Sequence, residues 1–295
     1  MTNNYCIFIL SHDRAGNIPT ISSLEESGYD GDWFILVDSG EHIDEYKDEY
    51  GDEKAIYVPK DDALPELDRG DNFDYRKTPL YTRYQVWDIA DELGYNHFVM
   101  MDDDYTRFDW KLDENIEFGH TTRVENINQY IEAAIEYLNS SKVTTICMAQ
   151  GGDYIGGEDA TFVKKRKTDN HHIVRSRRKA MNVFVCQTDE PYEFRGSLND
   201  DVNTYIREQQ LGHVFLTPNI LSLEQERTQQ HDGGITELYL EAGTYVKSFY
   251  TVLYSPSSTG LYFLDDGADK RIHHDIKWRN AVPKIVPEST KNEAN

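Results

Sequence analysis

Along its first hundred residues the chain alternates short apolar runs with longer amphipathic stretches. Residues 5–10, 33–37, 55–58 and 97–101 are rich in Ile, Val and Phe and bounded by polar or turn residues. Apolar runs of this length, without polar alternation, predict strands buried on both faces of a parallel sheet. Between them the spacing predicts helices. One begins at Thr78-Pro79, with Thr as N-cap and Pro at the first helical position, where its missing N–H costs nothing. Leu80, Tyr84, Trp87 and Ala90 then recur every three or four residues until Leu93-Gly94 supplies the stop. Val124, Ile127, Ile131, Ala134 and Leu138 mark another helix, ended by Asn139. Such alternation predicts a doubly wound α/β core with a mostly parallel sheet.

The second half is less regular. Residues 144–149, 183–186, 214–217 and 249–254 read as strands and 202–210 as a helix, with long polar stretches between them. No Pro-, Gly- or Ser-rich linker divides the chain, so one domain is expected over residues 1–287, followed by a frayed tail at 288–295.

Charge narrows the function classes. The 295 residues carry 30 Lys and Arg against 53 Asp and Glu, a net charge of −23. That excludes a protein that coats nucleic acid, or adheres to anionic lipid, through overall positive charge. No run approaches the ~18 apolar residues of a membrane span. The opening MTNNYCIFILSHDR has no basic stretch ahead of its apolar run, so no secretory signal is read there. Cys6, Cys147 and Cys186 stand singly within apolar runs, which gives neither a disulfide framework nor a zinc pattern. A soluble cytoplasmic protein with buried thiols is the expectation.

The sharpest chemical feature is Val99-Met100-Met101-Asp102-Asp103-Asp104-Tyr105. A buried strand ending in three adjacent carboxylates gathers like charge at its carboxyl end, the edge where open α/β sheets bind ligands. A divalent cation would relieve the repulsion, and hard oxygen ligands suit Mg²⁺ or Mn²⁺. Alternation puts Asp102 and Asp104 on one side and Asp103 on the other. The competing reading is an acidic loop solvated by water. Arg83, on the preceding helix, suits a phosphate contact, or else a pairing with Asp88 or a neighbouring carboxylate. Ser11, His12, Asp13 and Arg14 follow the first predicted strand, and Asp38-Ser39-Gly40 follows the second. There the strand-end Ser, Arg and Asp suit the base and ribose of a nucleotide, although turn chemistry explains Asp-Ser-Gly equally well.

Downstream, Asp200 and Asp201 open a predicted helix. That suits N-capping or a general base. His273 and His274 suit a metal or a phosphate, or simply a surface. One segment reverses the overall charge: Lys164, Lys165, Arg166, Lys167, Arg175, Arg177, Arg178 and Lys179 face a single acid, Asp169. The segment is therefore +7 and the remainder −30, which reads as a phosphate-backbone contact or as a solvated loop balancing acidic neighbours.

Taken together, these residues resemble the nucleotide-sugar glycosyltransferases of GT-A type. The stretch Tyr81-Thr82-Arg83-Tyr84, running on through Leu93-Gly94-Tyr95-Asn96 to Asp102-Asp103-Asp104, is similar to their Arg-bearing helix and acidic metal motif. A closer resemblance is to the phage family of TET/JBP-associated glycosyltransferases, which are thought to add sugars to hydroxymethylated DNA pyrimidines. It covers nearly the whole chain, through Gly70-Asp71-Asn72-Phe73, Asp102-Asp103-Asp104-Tyr105, Ala149-Gln150-Gly151-Gly152-Asp153, Arg178-Lys179-Ala180-Met181-Asn182, Asp201-Val202-Asn203-Thr204-Tyr205, Gly243-Thr244-Tyr245-Val246-Lys247-Ser248 and Arg271-Ile272-His273-His274.

The resemblance implies a GT-A-like, Rossmann-type fold with a nucleotide-sugar-binding half at 1–110 and an elaborated acceptor half at 111–287. Asp102 and Asp104 would hold a divalent cation, Mn²⁺ or Mg²⁺, on the diphosphate of a UDP-sugar, with Asp103 nearer the ribose or the sugar. Ser11, Arg14, Asp38 and Arg83 would complete the nucleotide site. Asp201 stands where inverting enzymes of this type keep their base; the position before it, typically Glu, is Asp200 here. His273 or His274 matches a C-terminal metal ligand. The expected reaction moves a sugar, glucose by this reading, from a UDP-sugar to a 5-hydroxymethylcytosine or 5-hydroxymethyluracil in DNA, in the host cytoplasm if the chain is phage-encoded. A duplex acceptor would have to be flipped out. The alternatives are a transferase acting on a glycan, lipid or protein, and, from another class, a non-catalytic nucleotide or cation binder.

Overall fold

The computed structural model describes residues 4–60, 67–71, 78–112, 118–150, 174–175, 180, 183–226, 246–265 and 270–286. Strands β1 (Tyr5–Ser11), β2 (Asp32–Val37) and β3 (Ala55–Tyr57) alternate with helices α1 (Pro19–Glu26) and α2 (Ile43–Tyr50). Helix α3 (Leu80–Glu92) leads into β4 (His97–Asp102), then β5 (Tyr105–Leu112), β6 (Phe118–Arg123) and α4 (Asn128–Ser140). Four short strands follow: β7 (Thr145–Cys147), β8 (Ala149–Gln150), β9 (Val174–Arg175) and β10 (Phe184–Gln187). Helix α5 (Asp200–Gln210), β11 (Phe215–Pro218) and β12 (Leu221–Gln225) precede α6 (Val246–Tyr254), the hairpin β13 (Thr259–Asp265) and β14 (Lys270–Ile276), and α7 (Trp278–Ala281).

The main sheet runs β3-β2-β1-β4-β10-β7-β11-β9. Strands β3, β2, β1 and β4 are parallel; β10 is antiparallel to both β4 and β7, and β11 is parallel to β7. Two reversals restore direction, so β7 and β11 point the same way as β4. The carboxyl ends of β1, β2, β4, β7 and β11 therefore line one edge. The expected α/β architecture with a mostly parallel central sheet is what the chain adopts.

The buried runs explain the layering. Side chains of a strand alternate between faces, so Ile7 and Ile9 of β1 pack with Val99 and Met101 of β4 against α1 and α4. Cys6, Phe8 and Leu10 pack with Phe98 and Met100 under α3 and α5. All three cysteines are buried and unbridged. Trp87 of α3 is held edge-on by Phe98 and Tyr192, and its Nε1 donates to the Gln187 carbonyl (3.2 Å). Side chains of this size contribute roughly 1.5–3 kcal/mol each on burial. A smaller sheet, β6-β5-β12-β8, abuts the first.

The structure departs from the pattern reading in the second half. Residues 249–254 form the body of helix α6 rather than a strand. Their aromatic and β-branched composition favours a strand, yet the most deeply buried positions are small and polar: Ser248, Thr251 and Ser255 recur at helical spacing, with Tyr250 the large side chain buried among them. That narrow face lets α6 lie close on α5 and the hairpin. The run at 144–149 is also divided, its first part joining the main sheet as β7 and its end crossing to the small sheet as β8. Helix α3 starts one residue later than expected: Pro79 occupies the cap position, and Thr78 Oγ1 accepts from Leu80 N (3.3 Å). Among the described residues, no helix is long and apolar enough to cross a membrane.

Candidate active site

The acidic triplet closes the turn between β4 and β5, and that turn is tied down from α1. Thr20 Oγ1 donates to the Asp102 carbonyl (2.7 Å) and accepts from Tyr105 N (2.9 Å), while Ser23 Oγ donates to the Tyr105 carbonyl (2.8 Å). The three carboxylates then part. Asp103, buried, accepts from Ser11 Oγ (2.6 Å) and Arg14 Nη1 (3.0 Å). Asp102 accepts from Arg83 Nη2 (3.0 Å). Asp104 lies beside Gln225 Nε2 (3.4 Å), and among the described residues its buried Oδ1 has no hydrogen-bond partner.

Arg83 is the hinge of this arrangement. It is 5% exposed, and its Nη1 donates to Asp200 Oδ2 (2.7 Å) while Nη2 reaches Asp102. The guanidinium also lies over the Phe194 ring at 5.2 Å and near Phe184 at 6.0 Å. It thus joins the end of β4 to the start of α5, taking the carboxylate pairing that the sequence left open rather than Asp88. Asn199, before α5, adopts the left-handed conformation (φ 54°) that Asn tolerates better than most residues. Its Nδ2 lies by the Lys247 carbonyl (3.2 Å), Thr251 Oγ1 (3.1 Å) and His274 Nδ1 (3.2 Å). His274 is buried, and the His273 ring is 4.3 Å from it. Asp201 is half-buried and makes no hydrogen bond or ion pair among the described residues, whereas Asp200 is buried and held by Arg83.

Several partners of the candidate residues went unread in the sequence. Asp38 accepts from Lys60 Nζ (2.5 Å) and from His12 Nδ1, whose Nε2 meets Asp13 (3.1 Å). Tyr46 donates or accepts with Ser11 Oγ (2.8 Å) and accepts from Arg14 N (2.8 Å). Lys60 stands just past β3, so its place at the same sheet edge was the available signal; for Tyr46, Gln225 and Phe194 the sequence holds none. Gly70 and Asp71 dock on α6, where Asp71 accepts from Tyr250 OH and a Cβ at Gly70 (φ 73°) would come within 2.7 Å of Tyr254 OH. Lys164, Lys165, Arg166, Lys167, Arg177, Arg178 and Lys179 lie outside the described residues; Arg175 is placed by its backbone in β9, opposite Thr217. Among the described residues, no three His, Cys, Asp or Glu converge as a closed metal site, so the two His do not join the triplet in one.

Electrostatics follow from burial. Desolvation lifts Asp103 to about 6 despite Arg14 and Ser11, and Asp200 to about 6 despite Arg83. Asp104 rises to about 7, by desolvation and then by the charges of Asp102 and Asp103.

A scan against family models matches residues 5–234 to the family described as TET-Associated Glycosyltransferase. Among curated proteins none matches significantly. Solved structures give remote likenesses. Glucosyl-3-phosphoglycerate synthase from Mycobacterium tuberculosis, in complex with Mn²⁺, UDP and phosphoglyceric acid, is 10% identical over 93% of this chain and 87% of that one, with a TM-score of 0.45. Mannosyl-3-phosphoglycerate synthase from Rubrobacter xylanophilus is 9% identical over 93% and 87%, with a TM-score of 0.41. Likenesses this remote carry nothing about chemistry.

Two outcomes are expected of this geometry. Removing one partner from a buried ion pair strands the others, at about 3–5 kcal/mol. Urea unfolding of Arg83→Leu should show that loss at pH 7.5 and a smaller one at pH 5, where Asp200 is protonated; an equal loss at both would contradict the pairing. The carboxyls of Asp103, Asp104 and Asp200 bind protons more tightly folded than unfolded, where carboxylates titrate near 4. Linkage then lowers stability as pH rises from about 4 to about 7. Asp104→Asn should raise Tm at pH 7.5 and flatten that decline. A variant with the wild-type slope would remove Asp104 from the account.

Proposed function

The chain belongs to the TET-associated glycosyltransferase family, and from that membership we propose that it moves a sugar, glucose in the first instance, from a UDP-sugar to the hydroxyl of a 5-hydroxymethylpyrimidine in DNA. The observation that carries the donor half is the orphaned Asp104 Oδ1 beside Asp102 at the carboxyl edge of the sheet. Two hard carboxylate donors suit Mg²⁺ or Mn²⁺, which commonly takes its remaining ligands from water and substrate phosphates. The cation would supply charge stabilisation for the departing UDP. His274, with His273 beside it, contacts Asn199, the residue before Asp200, and on this reading would face the same diphosphate, as ligand or as N–H donor.

This chain's own residues would do the rest. Ser11, Arg14 and Asp103 form one linked group that can grip the ribose or sugar, and Asp38 with Lys60 and His12 forms another at the end of β2. Asp201 takes the proton of the acceptor hydroxyl as that oxygen attacks C1, and the bond from C1 to the UDP oxygen breaks with inversion. Asp200 is a poor candidate for that task, because its carboxylate is already bound by Arg83.

The acceptor side is supported by topology as well as by charge. The chain leaves the small sheet at Gln150 beside Leu223 and re-enters at β9, whose Val174 and Arg175 lie opposite Pro218 and Thr217. Those positions sit at the carboxyl end of β11, on the same edge as Asp102. Arg175, the member of the +7 segment that lies among the described residues, is thus on the same sheet edge as Asp102, four strands along. DNA repelled by the remaining −30 would be drawn to that place alone.

The test is direct. Incubation with a panel of UDP-sugars and hydroxymethylated oligonucleotides in Mn²⁺, then digestion to nucleosides, should show a hexose added to the modified nucleoside by mass spectrometry and none in EDTA. Asp201→Asn should lower kcat on the order of 10²–10⁴-fold with UDP affinity nearly unchanged. Inactivity of Asp200→Asn beside an active Asp201→Asn would reassign the base, and transfer only to glycan acceptors would replace the DNA reading.

A further inference from the structure

Asn199 stands at the cap of α5, where an Asn side chain ordinarily accepts from the helix's own first N–H groups. Its carbonyl does begin the helix, accepting from Asn203 N (2.8 Å), but its side chain makes no capping hydrogen bond. With the backbone left-handed at this residue, the amide reaches α6 and β14 instead.

Its orientation there is fixed. The Lys247 carbonyl can only accept, so the atom 3.2 Å from it is the hydrogen-bearing Nδ2. A reversed amide would set oxygen against oxygen. Thr251 Oγ1, one turn further along α6, lies 3.1 Å from the same nitrogen and can accept there too. The third neighbour is His274 Nδ1, at 3.2 Å. An amide nitrogen has only hydrogens to offer, so Nδ1 must present its lone pair. A neutral imidazole with one bare nitrogen carries its hydrogen on the other. The Asn199 amide thereby selects the Nε2–H tautomer of His274. The ring is buried and lies against that of His273, with centroids 4.3 Å apart and planes 34° from parallel, which restricts its turning.

This is the reverse of what a metal ligand needs. A ligating His usually donates its second ring N–H to a carboxylate or carbonyl, which leaves the ligating nitrogen bare. His274 faces a donor. A separate observation agrees: among the described residues, His274 does not converge with Asp102 and Asp104 as three ligands of one ion.

We infer that His274 serves the diphosphate as an N–H donor and not the cation as a ligand, with Asn199 the positioning residue that sets its tautomer. The inference rests on the UDP-sugar reading above and decides between the two roles left open there. An N–H donated to a phosphate oxygen is a charge-assisted hydrogen bond, and it gains strength as charge builds on the departing UDP.

The experiment labels the full chain with ¹⁵N-His and reads the ring nitrogens of His274 by two-bond ¹H–¹⁵N correlation, with His274→Gln identifying the resonances. The free protein should show a bare Nδ1 and a protonated Nε2. UDP, with Mg²⁺ or in EDTA, should shift Nε2 and leave its hydrogen in place. A bare Nε2 in the free protein, or loss of its hydrogen when Mg²⁺ joins UDP, would overturn the inference. So would UDP that binds by calorimetry without moving either nitrogen. In Mg²⁺, His274→Leu should bind UDP about 10- to 100-fold more weakly, and His274→Gln, which keeps an N–H, should recover most of that loss; equal losses would point to a ligand. Asn199→Asp offers Nδ1 a carboxylate and should move the hydrogen onto Nδ1. An unmoved tautomer there would remove Asn199 from its positioning role. The wild-type spectra decide the matter even where a variant fails to fold. If wild type binds no UDP under either condition, the donor reading fails and this role of His274 with it, while the tautomer of the free protein still reports on Asn199.

Discussion

The buried guanidinium of Arg83 is the constraint on which the site depends. Two carboxylates, Asp102 from the end of β4 and Asp200 from the start of α5, approach the same buried point. Without a cation between them, burial and mutual repulsion would force protons onto them or push the elements apart. Arg83 serves both with two nitrogens of one planar group, and Phe184 and Phe194 lie along it. The donor edge and the start of α5 are thereby held in one geometry. Asp201, one residue further along α5, is left half-buried and unpaired among the described residues. The proposed general base and the proposed metal-binding carboxylates would owe their relative placement to a residue that need not touch either substrate.

Much of this was legible in the chain. The apolar runs at 5–10, 33–37 and 97–101 are β1, β2 and β4 almost to the residue, because a strand buried on both faces leaves no room for polar alternation. The triplet at the end of β4 follows from the same pattern, and so does its position at a ligand-binding edge. Arg83 was legible as a functional residue but not as a bridge, since its two partners are 19 and 117 positions away. Helix α6 was misread because its most deeply buried positions are Ser and Thr, while Phe249 and Leu253 point outward. A pattern rule that equates apolar with buried fails there for a physical reason: the fully buried positions of the helix hold small side chains. His12, Lys60 and Tyr46 gain their meaning only from the convergence of three strand ends.

The distribution of charge gives the molecule its polarity. An acidic body carries a site that, on the proposed reading, receives both a doubly charged diphosphate and a polyanionic acceptor. Neither is drawn in by net charge. On that reading attraction would be concentrated in Arg14, in Lys60 and in the basic residues between 164 and 179. Such an arrangement favours contact at one place and one orientation over general adhesion.

The most direct test of the central claim is a double-mutant cycle between Arg83 and Asp200, using Arg83→Gln, Asp200→Asn and the double variant in urea unfolding at pH 7.5. Residues in one buried network couple by about 0.5–3 kcal/mol, whereas independent sites add to within about 0.5 kcal/mol. The account predicts a coupling of about 1.5 kcal/mol or more, with the double variant recovering stability that Arg83→Gln alone loses. Additive losses would show that Arg83 does not hold the two ends of the site together.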